Sequence, residues 1–287
     1  MPTWTEELVW NKTDDGIEHD GVVIRPTGQP NGTVIVWMHG FTGHFSEPHQ
    51  IRIGRYLAER GYSFVSGDNR GHHFGASIGE WEGPFRIGGA WWERVSESWL
   101  DIKACLDFAA ATLAPQRLVL AGHSYGAVKV TWYQGERQDP RLAGLISASG
   151  PVRPPSQRPE LGEPLALARQ MVAEGRGLEL LPFGSTGRPG SLSAETVVDR
   201  AESLVDVYGM GGDSGNSPLS KVRCPFLAIL GTKEPQIGAP ADLETLKANA
   251  RASSFADTAL IDGANHLYQD RELVVAKAIF DWLGKLP

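Results

Sequence analysis

From residue 33 onward, continuous apolar runs alternate with segments whose apolar residues recur at helical spacing. The run 33–38, Thr-Val-Ile-Val-Trp-Met, is rich in β-branched residues and is typical of a strand buried on both faces of a parallel sheet. A helix over 51–60, ended by Gly61, and a strand over 62–66 follow it. A strand, a helix and a second strand in this order predict a right-handed crossover between parallel strands.

The same alternation continues to the end of the chain. It predicts a helix over 92–113, a strand over 117–121, a helix from the turn at 122–126 to 138, strands over 142–149 and 224–230, a helix over 241–250, a strand over 254–261 and a closing helix over 270–283. Before residue 33, Asp14-Asp15-Gly16 and Asp20-Gly21 predict turns between antiparallel strands. The whole pattern predicts an α/β protein with a doubly wound, mostly parallel sheet.

The alternation breaks between residues 151 and 218. Prolines crowd the start of this stretch and glycines its end, at Pro151, Pro154, Pro155, Pro159, Pro164, Gly209, Gly211, Gly212 and Gly215. Between them, apolar residues at helical spacing over 164–174 and 193–207 argue against a disordered linker. We therefore predict a core of residues 1–150 and 219–287 with an inserted helical cap of residues 151–218.

Composition and charge narrow the possible partners. The 287 residues include 27 Lys and Arg against 34 Asp and Glu, a formal charge of −7, which argues against nucleic acid as a partner. With 41% hydrophobic and 21% charged residues the chain is expected to be globular. The first ten residues lack the basic and apolar regions of a signal peptide, and no apolar run is long enough for a membrane span. We therefore expect a cytoplasmic protein.

The sequence predicts no cofactor. Cys105 and Cys224 lie too far apart for a disulfide framework, although spacing alone leaves a single bridge open. His39, His44 and His49 are spaced by five and lack a zinc-binding motif, so no metal site is predicted. No G-x-G-x-x-G follows a strand at dinucleotide spacing. The oligomeric state stays open.

One pentapeptide, Gly122-His123-Ser124-Tyr125-Gly126, carries a nucleophile motif of the form G-x-S-x-G. An apolar strand precedes it and a helical pattern follows it, as the motif requires. Small residues flank the serine because the chain must turn from strand to helix almost without transition. The pattern predicts Ser124 as a nucleophile at the carboxyl end of the sheet and the N-terminus of a helix.

A serine nucleophile needs a base that takes its proton and a third group that orients the base. His266 is the predicted base, because it follows the last strand and the order nucleophile, acid, histidine requires a late histidine. His123, inside the elbow, is predicted to face away from the site. The predicted acid is Glu234, three residues beyond the glycine that ends the strand over 224–230. Asp262, four residues before His266, is the alternative acid.

The segment His39-Gly40-Phe41-Thr42-Gly43 follows the first long strand. Its glycines let the backbone approach closely, so the amide N–H of Phe41 is predicted to join that of Tyr125 in an oxyanion hole. We interpret His39 as a residue that organises this loop.

With these residues in place, the chain resembles the serine hydrolases of the α/β-hydrolase fold. The HGFTG loop together with G-H-S-x-G is similar to the feruloyl and cinnamoyl esterases and the monoacylglycerol lipases, over about residues 33–266. Asp68-Asn69-Arg70-Gly71-His72 matches a turn that is structural in that superfamily. The chain departs from these relatives at Glu234, where they usually have Asp, and at Tyr125-Gly126-Ala127, where they continue with Q-G-G or M-G-G.

These parts predict a carboxylic ester hydrolase that acts on a small-molecule ester through an acyl-enzyme on Ser124. The same triad also serves the cleavage of carbon–carbon bonds, amides and lactones, because these reactions share tetrahedral chemistry. A small-molecule receptor that uses the triad as pocket lining is the alternative from a different class.

Aromatic residues crowd the segment before the helix that leads to the elbow, at Trp81, Phe85, Trp91 and Trp92. In one interpretation, Trp91 and Trp92 wall a substrate pocket. In the other, these residues anchor the loop to the core. The sequence leaves both interpretations open.

Overall fold

Ten strands and eight helices make up the described part of the protein. The structure is a computed structural model, and it describes residues 3–80, 82–152, 162–186, 190–203 and 206–287. The strands are β1 Trp4–Lys12, β2 Glu18–Pro26, β3 Thr33–Met38, β4 Ser63–Gly67, β5 Ala76–Gly79, β6 Phe85–Gly88, β7 Arg117–His123, β8 Leu142–Ala148, β9 Phe226–Gly231 and β10 Ala256–Ile261. The helices are α1 Pro48–Ala58, α2 Ser98–Leu113, α3 Tyr125–Arg137, α4 Gly162–Ala173, α5 Ala194–Ser203, α6 Pro218–Lys221, α7 Asp242–Asn249 and α8 Glu272–Leu283.

Eight strands form one sheet in the order β1-β2-β4-β3-β7-β8-β9-β10. From β4 to β10 all neighbours are parallel, whereas β2 pairs antiparallel with both β1 and β4. The chain runs from β3 to β4 on one side and later to β7 on the other, so the loops after β3 and β7 meet where the winding reverses. The predicted doubly wound, mostly parallel sheet is confirmed.

Apolar residues fill both faces of this sheet. Along β3, Val34, Val36 and Met38 face a layer built with α2, α3 and α7, while Ile35 and Trp37 face a layer built with α1 and α8. Every residue of β3 is buried, as its continuous apolar run predicts. Burial on both faces makes the sheet a rigid base for the loops at its carboxyl edge.

The stretch between β8 and β9 contributes its own small apolar cluster. Residues of α4, α5 and the segment between them form it, with Ala168, Met171, Leu181, Leu192, Ala194 and Val197. Phe41 and Trp91, which belong to loops of the sheet, pack against this cluster. Part of the predicted cap lies outside the described residues: Pro154, Pro155 and Pro159 at its start, and residues 204 and 205 of its second predicted helix. The division into core and cap therefore stays a prediction.

The predicted turn at Asp20-Gly21 is wrong, because both residues lie inside β2. Gly21 pairs with Val9 on one side and Gly67 on the other. A Cβ on Gly21 would lie 2.9 Å from the carbonyl oxygen of Ser66, so this glycine serves the close approach of strands.

The predicted helix over 92–113 is too long at its start, because α2 begins at Ser98 and is preceded only by a short 3-10 turn, Val95–Glu97. The carbonyl oxygen of Trp91 accepts hydrogen bonds from Ser193 and Thr196, which draws this segment away from a helical path. The hairpin of β5 and β6 and the single turn α6 lack a strong periodic signal, and sequence reasoning missed them.

The turn after β4 is held by a buried arginine. Arg70 Nε and Nη2 donate to the Asp101 carboxylate at 3.0 to 3.1 Å, and Nη1 and Nη2 also reach Glu97 and Asp15. The Arg70 side chain is 1% exposed and that of Asp101 is fully buried. Burial alone would raise the pKa of Asp101, but Arg70 holds it well below its ordinary value. The ionised state of the buried Asp101 carboxylate therefore depends on its contact with the Arg70 guanidinium.

We expect Arg70→Ala to lower the free energy of unfolding by about 3–5 kcal/mol, because the buried Asp101 carboxylate would lose the guanidinium and keep only the His19 ring and the backbone N–H of residue 70 as partners. Arg86→Ala is the matched control, since Arg86 contacts the same Glu97 from a side chain that is 41% exposed. Its expected cost is below about 1 kcal/mol. Urea unfolding followed by circular dichroism measures both, and equal costs for the two variants would contradict the argument.

Candidate active site

A sharp turn joins β7 to α3 and carries Ser124, whose φ of 55° and ψ of −124° lie outside the usual regions for a residue with a side chain. A Cβ on Gly122 would lie 2.4 Å from the carbonyl oxygen of Gly126. A Cβ on Gly126 would lie 2.4 Å from the carbonyl oxygens of Met38 and His39. Both glycines are therefore required by packing, and the turn holds Ser124 at the carboxyl edge of the sheet, partly exposed.

Three predicted site residues form one hydrogen-bonded row. Ser124 Oγ lies 2.9 Å from His266 Nε2, and His266 Nδ1 lies 2.9 Å from Glu234 Oε2. Ser124 follows β7, Glu234 follows β9 and His266 follows β10, so the carboxyl ends of three parallel strands of one sheet supply the row. With Nδ1–H donating to the carboxylate, Nε2 accepts from the serine hydroxyl. The structure brings these residues together, and their catalytic roles stay a prediction.

The Glu234 carboxylate is completely buried and is held on its second oxygen by two donors. The Ser149 hydroxyl donates to Oε1 at 2.6 Å, and the backbone N–H of Gly231 also donates to Oε1. The Tyr268 hydroxyl lies 2.6 Å from Ser149 Oγ. Burial, reinforced by Glu234, raises the pKa of Tyr268 well above its ordinary value, so this hydroxyl stays neutral. The orientation of Glu234 is thus set independently of His266.

The side chain of Asp262, the alternative acid, contacts Thr232, whereas the His266 ring contacts Glu234. The Asp262 side chain is exposed, and Oδ1 accepts from the Thr232 hydroxyl at 3.3 Å. Its carbonyl oxygen accepts from Arg271. The Thr232 contact ties the His266 loop to the loop after β9, whereas Glu234 is the carboxylate that contacts the imidazole.

The loop after β3 lies directly against the nucleophile. A Cβ on Gly40 would lie 2.7 Å from the Cβ of Ser124. His39 is fully buried beside it, where Nδ1 donates to the Gly40 carbonyl at 2.9 Å and Nε2 accepts from the Asn69 backbone N–H at 3.2 Å. Burial lowers the pKa of His39 well below its ordinary value, so the ring is neutral and organises the loop. Phe41 follows Gly40 on this loop and Tyr125 follows Ser124 as the first residue of α3, and their role as oxyanion donors stays a prediction.

His123 supports the loop that carries His266, although sequence reasoning set it aside. Its Nε2–H donates to the carbonyl oxygen of His266 at 2.7 Å, and the two rings contact each other with centroids 4.9 Å apart and planes tilted by 36°. The side chain is 2% exposed, and burial lowers its pKa well below the ordinary value, so it acts as a neutral donor. Ser149, Tyr268 and His123 all lie next to predicted helices, strands or turns, but no local sequence pattern predicts their contacts.

Trp91 and Trp92 contact the stretch between β8 and β9. The Trp92 indole N–H donates to the carbonyl oxygen of Leu178 at 2.9 Å, and the Trp91 carbonyl oxygen accepts from Ser193 and Thr196. These contacts join the segment to the predicted cap, and both the pocket role and the anchoring of this loop to the core stay predictions. Trp81 lies outside the described residues, and Phe85 is an exposed residue of β6.

The described residues contain no group of three or more His, Cys, Asp or Glu side chains arranged to hold a metal ion. Within the same ranges, no helix combines the length and the apolar character that crossing a bilayer requires.

Three solved structures with the same architecture and low sequence identity are called esterases. Est1E from Butyrivibrio proteoclasticus, solved with ferulic acid bound, has a TM-score of 0.69 and 18% identity, over 97% of this chain and 98% of that one. A thermostable carboxyl esterase from Bacillus coagulans has a TM-score of 0.74 and 14% identity, over 98% and 99% of the two chains. The Pyrococcus furiosus esterase Pf2001 has a TM-score of 0.64 and 17% identity, over 99% and 92%. At these identities the likeness shows the fold.

No curated protein matches the sequence. A family model does match: Hydrolase_4, described as serine aminopeptidase, S33, aligns with residues 28–182. The match covers more than half of the chain and includes Ser124, while Glu234 and His266 lie beyond it. The prediction of a hydrolase is thereby confirmed. The chain belongs to the serine aminopeptidase S33 family of hydrolases, and its doubly wound sheet is an α/β-hydrolase fold.

Proposed function

We propose that the protein hydrolyses carboxylic esters through an acyl-enzyme on Ser124, with His266 as base and Glu234 as the group that orients it. The observation that carries the proposal is the continuous row in which 2.9 Å separates Ser124 Oγ from His266 Nε2 and 2.9 Å separates His266 Nδ1 from Glu234 Oε2. Nucleophile and base at this distance, with the base held by a third group, meet the geometric requirement for an activated serine.

In the first half of the reaction, the Ser124 hydroxyl gives its proton to His266 Nε2 while Oγ attacks the ester carbonyl carbon. The carbonyl oxygen becomes an oxyanion that the amide N–H groups of Phe41 and Tyr125 stabilise. The bond to the leaving oxygen then breaks, and His266 returns the proton to the departing alcohol. In the second half, His266 takes a proton from water as the water oxygen attacks the acyl carbon, and the carboxylic acid leaves with the Ser124 hydroxyl restored.

Ester cleavage is favoured over amide cleavage by the structural relatives. Est1E, the carboxyl esterase and Pf2001 are all called esterases and align over nearly their whole lengths. The family description instead names a serine aminopeptidase, so amide hydrolysis is the second candidate. The receptor alternative is disfavoured, because pocket lining does not require the buried Glu234 network behind His266.

A matched pair of substrates tests the reaction class. We expect p-nitrophenyl butyrate to be turned over with a burst of one p-nitrophenol per enzyme, because the activated ester acylates Ser124 faster than water hydrolyses the acyl-enzyme. The p-nitroanilide of butyric acid presents the same acyl group on an amide, and a p-nitroanilide of an amino acid tests the aminopeptidase activity. Faster turnover of either anilide would contradict the proposal.

We further propose that residues 151–218 form a cap over the site. The contacts that support it are those of Phe41 and Trp91 with the apolar cluster of α4 and α5. Because Phe41 is also a candidate oxyanion donor, the cap would reach the catalytic groups directly.

A variant of His123 tests how the base is positioned. We expect His123→Ala to lower kcat roughly tenfold to a hundredfold with little change in KM, because the His266 carbonyl loses a buried hydrogen bond of about 1–3 kcal/mol. His123→Gln keeps an N–H donor of similar reach and is expected to recover most of the loss. Steady-state kinetics with p-nitrophenyl butyrate and a thermal melt measure both variants. A rise in KM at unchanged kcat would show that His123 acts on substrate binding instead.

A further inference from the structure

Three charged side chains form a buried cluster behind the candidate oxyanion loop. We call Arg200 of α5, Glu93 of the loop before α2 and Lys129 of α3 the Arg200 cluster. Their side chains are 13%, 1% and 2% exposed. Lys129 Nζ contacts Glu93 Oε1, and Glu93 Oε2 lies 3.7 Å from Arg200 Nη2. Two cations share one carboxylate, so the cluster carries a formal charge of +1.

The excess charge lies beside the nucleophile. The Arg200 guanidinium carbon is 4.8 Å from the ring centroid of Phe41 and 4.8 Å from that of Tyr125. Tyr125 directly follows Ser124, and Phe41 follows Gly40, which packs against Ser124. Two aromatic faces thus hold a planar cation over the residues that flank the reacting serine.

Within the described part of the chain, the Arg200 guanidinium has an N–H donor without a hydrogen-bond acceptor. A guanidinium presents five N–H donors. Nη2 donates to the carbonyl oxygen of Ala90 at 3.2 Å, while Nε is buried and has no hydrogen-bond acceptor among the described residues. The neighbouring carboxylate of Asp199 is engaged by the Ser96 backbone N–H and the Ser203 hydroxyl. A buried donor without an acceptor is costly, and an anion that arrives with the substrate would remove that cost.

We propose that Arg200 binds a carboxylate carried by the substrate, so that the enzyme prefers anionic esters to neutral ones of the same size. The inference rests on the proposed ester hydrolysis and names its substrate class. Arginine suits the task because its fork binds both oxygens of a carboxylate, and aromatic contacts on its faces exclude water from the pair. Lys129 contacts Glu93 Oε1, and Glu93 Oε2 lies 3.7 Å from Arg200 Nη2 without a hydrogen bond among the described residues, so the guanidinium keeps donors for an incoming anion.

Pairs of esters that differ in one charge test the proposal. On the acyl side, p-nitrophenyl monoesters of glutaric, adipic and pimelic acid are each compared with the corresponding uncharged carboxamide, after subtraction of spontaneous hydrolysis. On the alcohol side, butyrate esters of p-hydroxybenzoate and p-hydroxybenzamide form the pair. We expect kcat/KM to favour the anionic member of at least one series by roughly tenfold to a hundredfold, the effect of a charge-assisted hydrogen bond.

Three variants identify the residue responsible. Arg200→Gln should abolish the preference while neutral esters are still turned over, and Arg200→Lys should retain part of it. Arg169→Gln is the matched control, because Arg169 lies on α4 of the same stretch with a side chain that is 58% exposed. It should leave the preference unchanged.

Two results would overturn the proposal: no preference in the wild-type enzyme, or an equal loss on charged and neutral esters in Arg200→Gln, which would make Arg200 a structural clamp. The neutral esters report separately on the proposed function. If the wild-type enzyme cleaves no ester, calorimetric titration with adipate still tests the site. Tighter binding to the wild-type protein than to Arg200→Gln supports the carboxylate site, and equal binding contradicts it.

Discussion

Ser124→Ala is expected to lower kcat for p-nitrophenyl butyrate by a factor on the order of 10⁴ or more, because the variant lacks the atom that forms the acyl-enzyme. His266 and Glu234 remain in place but have no hydroxyl to activate. KM and the melting temperature should change little, since removal of one partly exposed oxygen leaves the elbow and its glycines intact.

Covalent labelling provides a second measurement of the same prediction. A fluorophosphonate probe should modify the wild-type enzyme at Ser124 and fail to modify Ser124→Ala. Ser46→Ala is the control, because Ser46 is an exposed serine on the loop before α1. It should react and turn over as the wild type does. Wild-type turnover by Ser124→Ala, or labelling of another serine, would remove Ser124 from the nucleophile role.

Glu234→Gln is expected to reduce kcat by a factor on the order of 10³–10⁴, as the loss of the orienting carboxylate does in serine proteases. The local hydrogen bonds make the substitution severe. Because Ser149 and Gly231 both donate to Oε1, the glutamine oxygen should occupy that position and its amide group should face His266. The imidazole would then accept at Nδ1 and carry its proton on Nε2, where it cannot take the proton of Ser124.

Asp262→Asn is the matched variant, with the same change from carboxylate to amide on the loop of His266. We expect its kcat to stay within about twofold of the wild type, because Asp262 is exposed and contacts Thr232. A large loss in Asp262→Asn with a wild-type rate in Glu234→Gln would transfer the role of the acid to Asp262. Thermal melts of both variants separate a catalytic loss from unfolding.

The sheet and the elbow were predictable because their signals are local. A continuous apolar run such as that of β3 indicates burial on both faces wherever it occurs, and G-x-S-x-G between a strand and a helix specifies a turn that only small flanking residues allow. A Cβ on Gly122 or Gly126 would lie 2.4 Å from a backbone carbonyl oxygen, which gives the physical reason for that pattern. The chain order of nucleophile, acid and histidine likewise needed no coordinates to suggest Glu234 and His266.

The errors have an equally physical origin. Asp20-Gly21 has the composition of a turn, but its glycine lies between two strands whose backbones need the space. Residues 92–97 have helical spacing, but the contacts of Trp91 with Ser193 and Thr196 override it. In both cases a partner far away in sequence outweighs the local preference.

The sequence by itself determined the fold class, the nucleophile elbow and a short set of candidate partners, since these follow from periodicity, glycine sterics and the order of motifs. Only the tertiary structure decided which side chains orient and support the nucleophile elbow and its candidate partners. Ser149 and Tyr268 orient Glu234, His123 supports the His266 loop, and Arg200 lies over Phe41 and Tyr125. These contacts join residues up to 159 positions apart, as with Phe41 and Arg200, and their strength depends on burial that exists only once the sheet has brought the loops together.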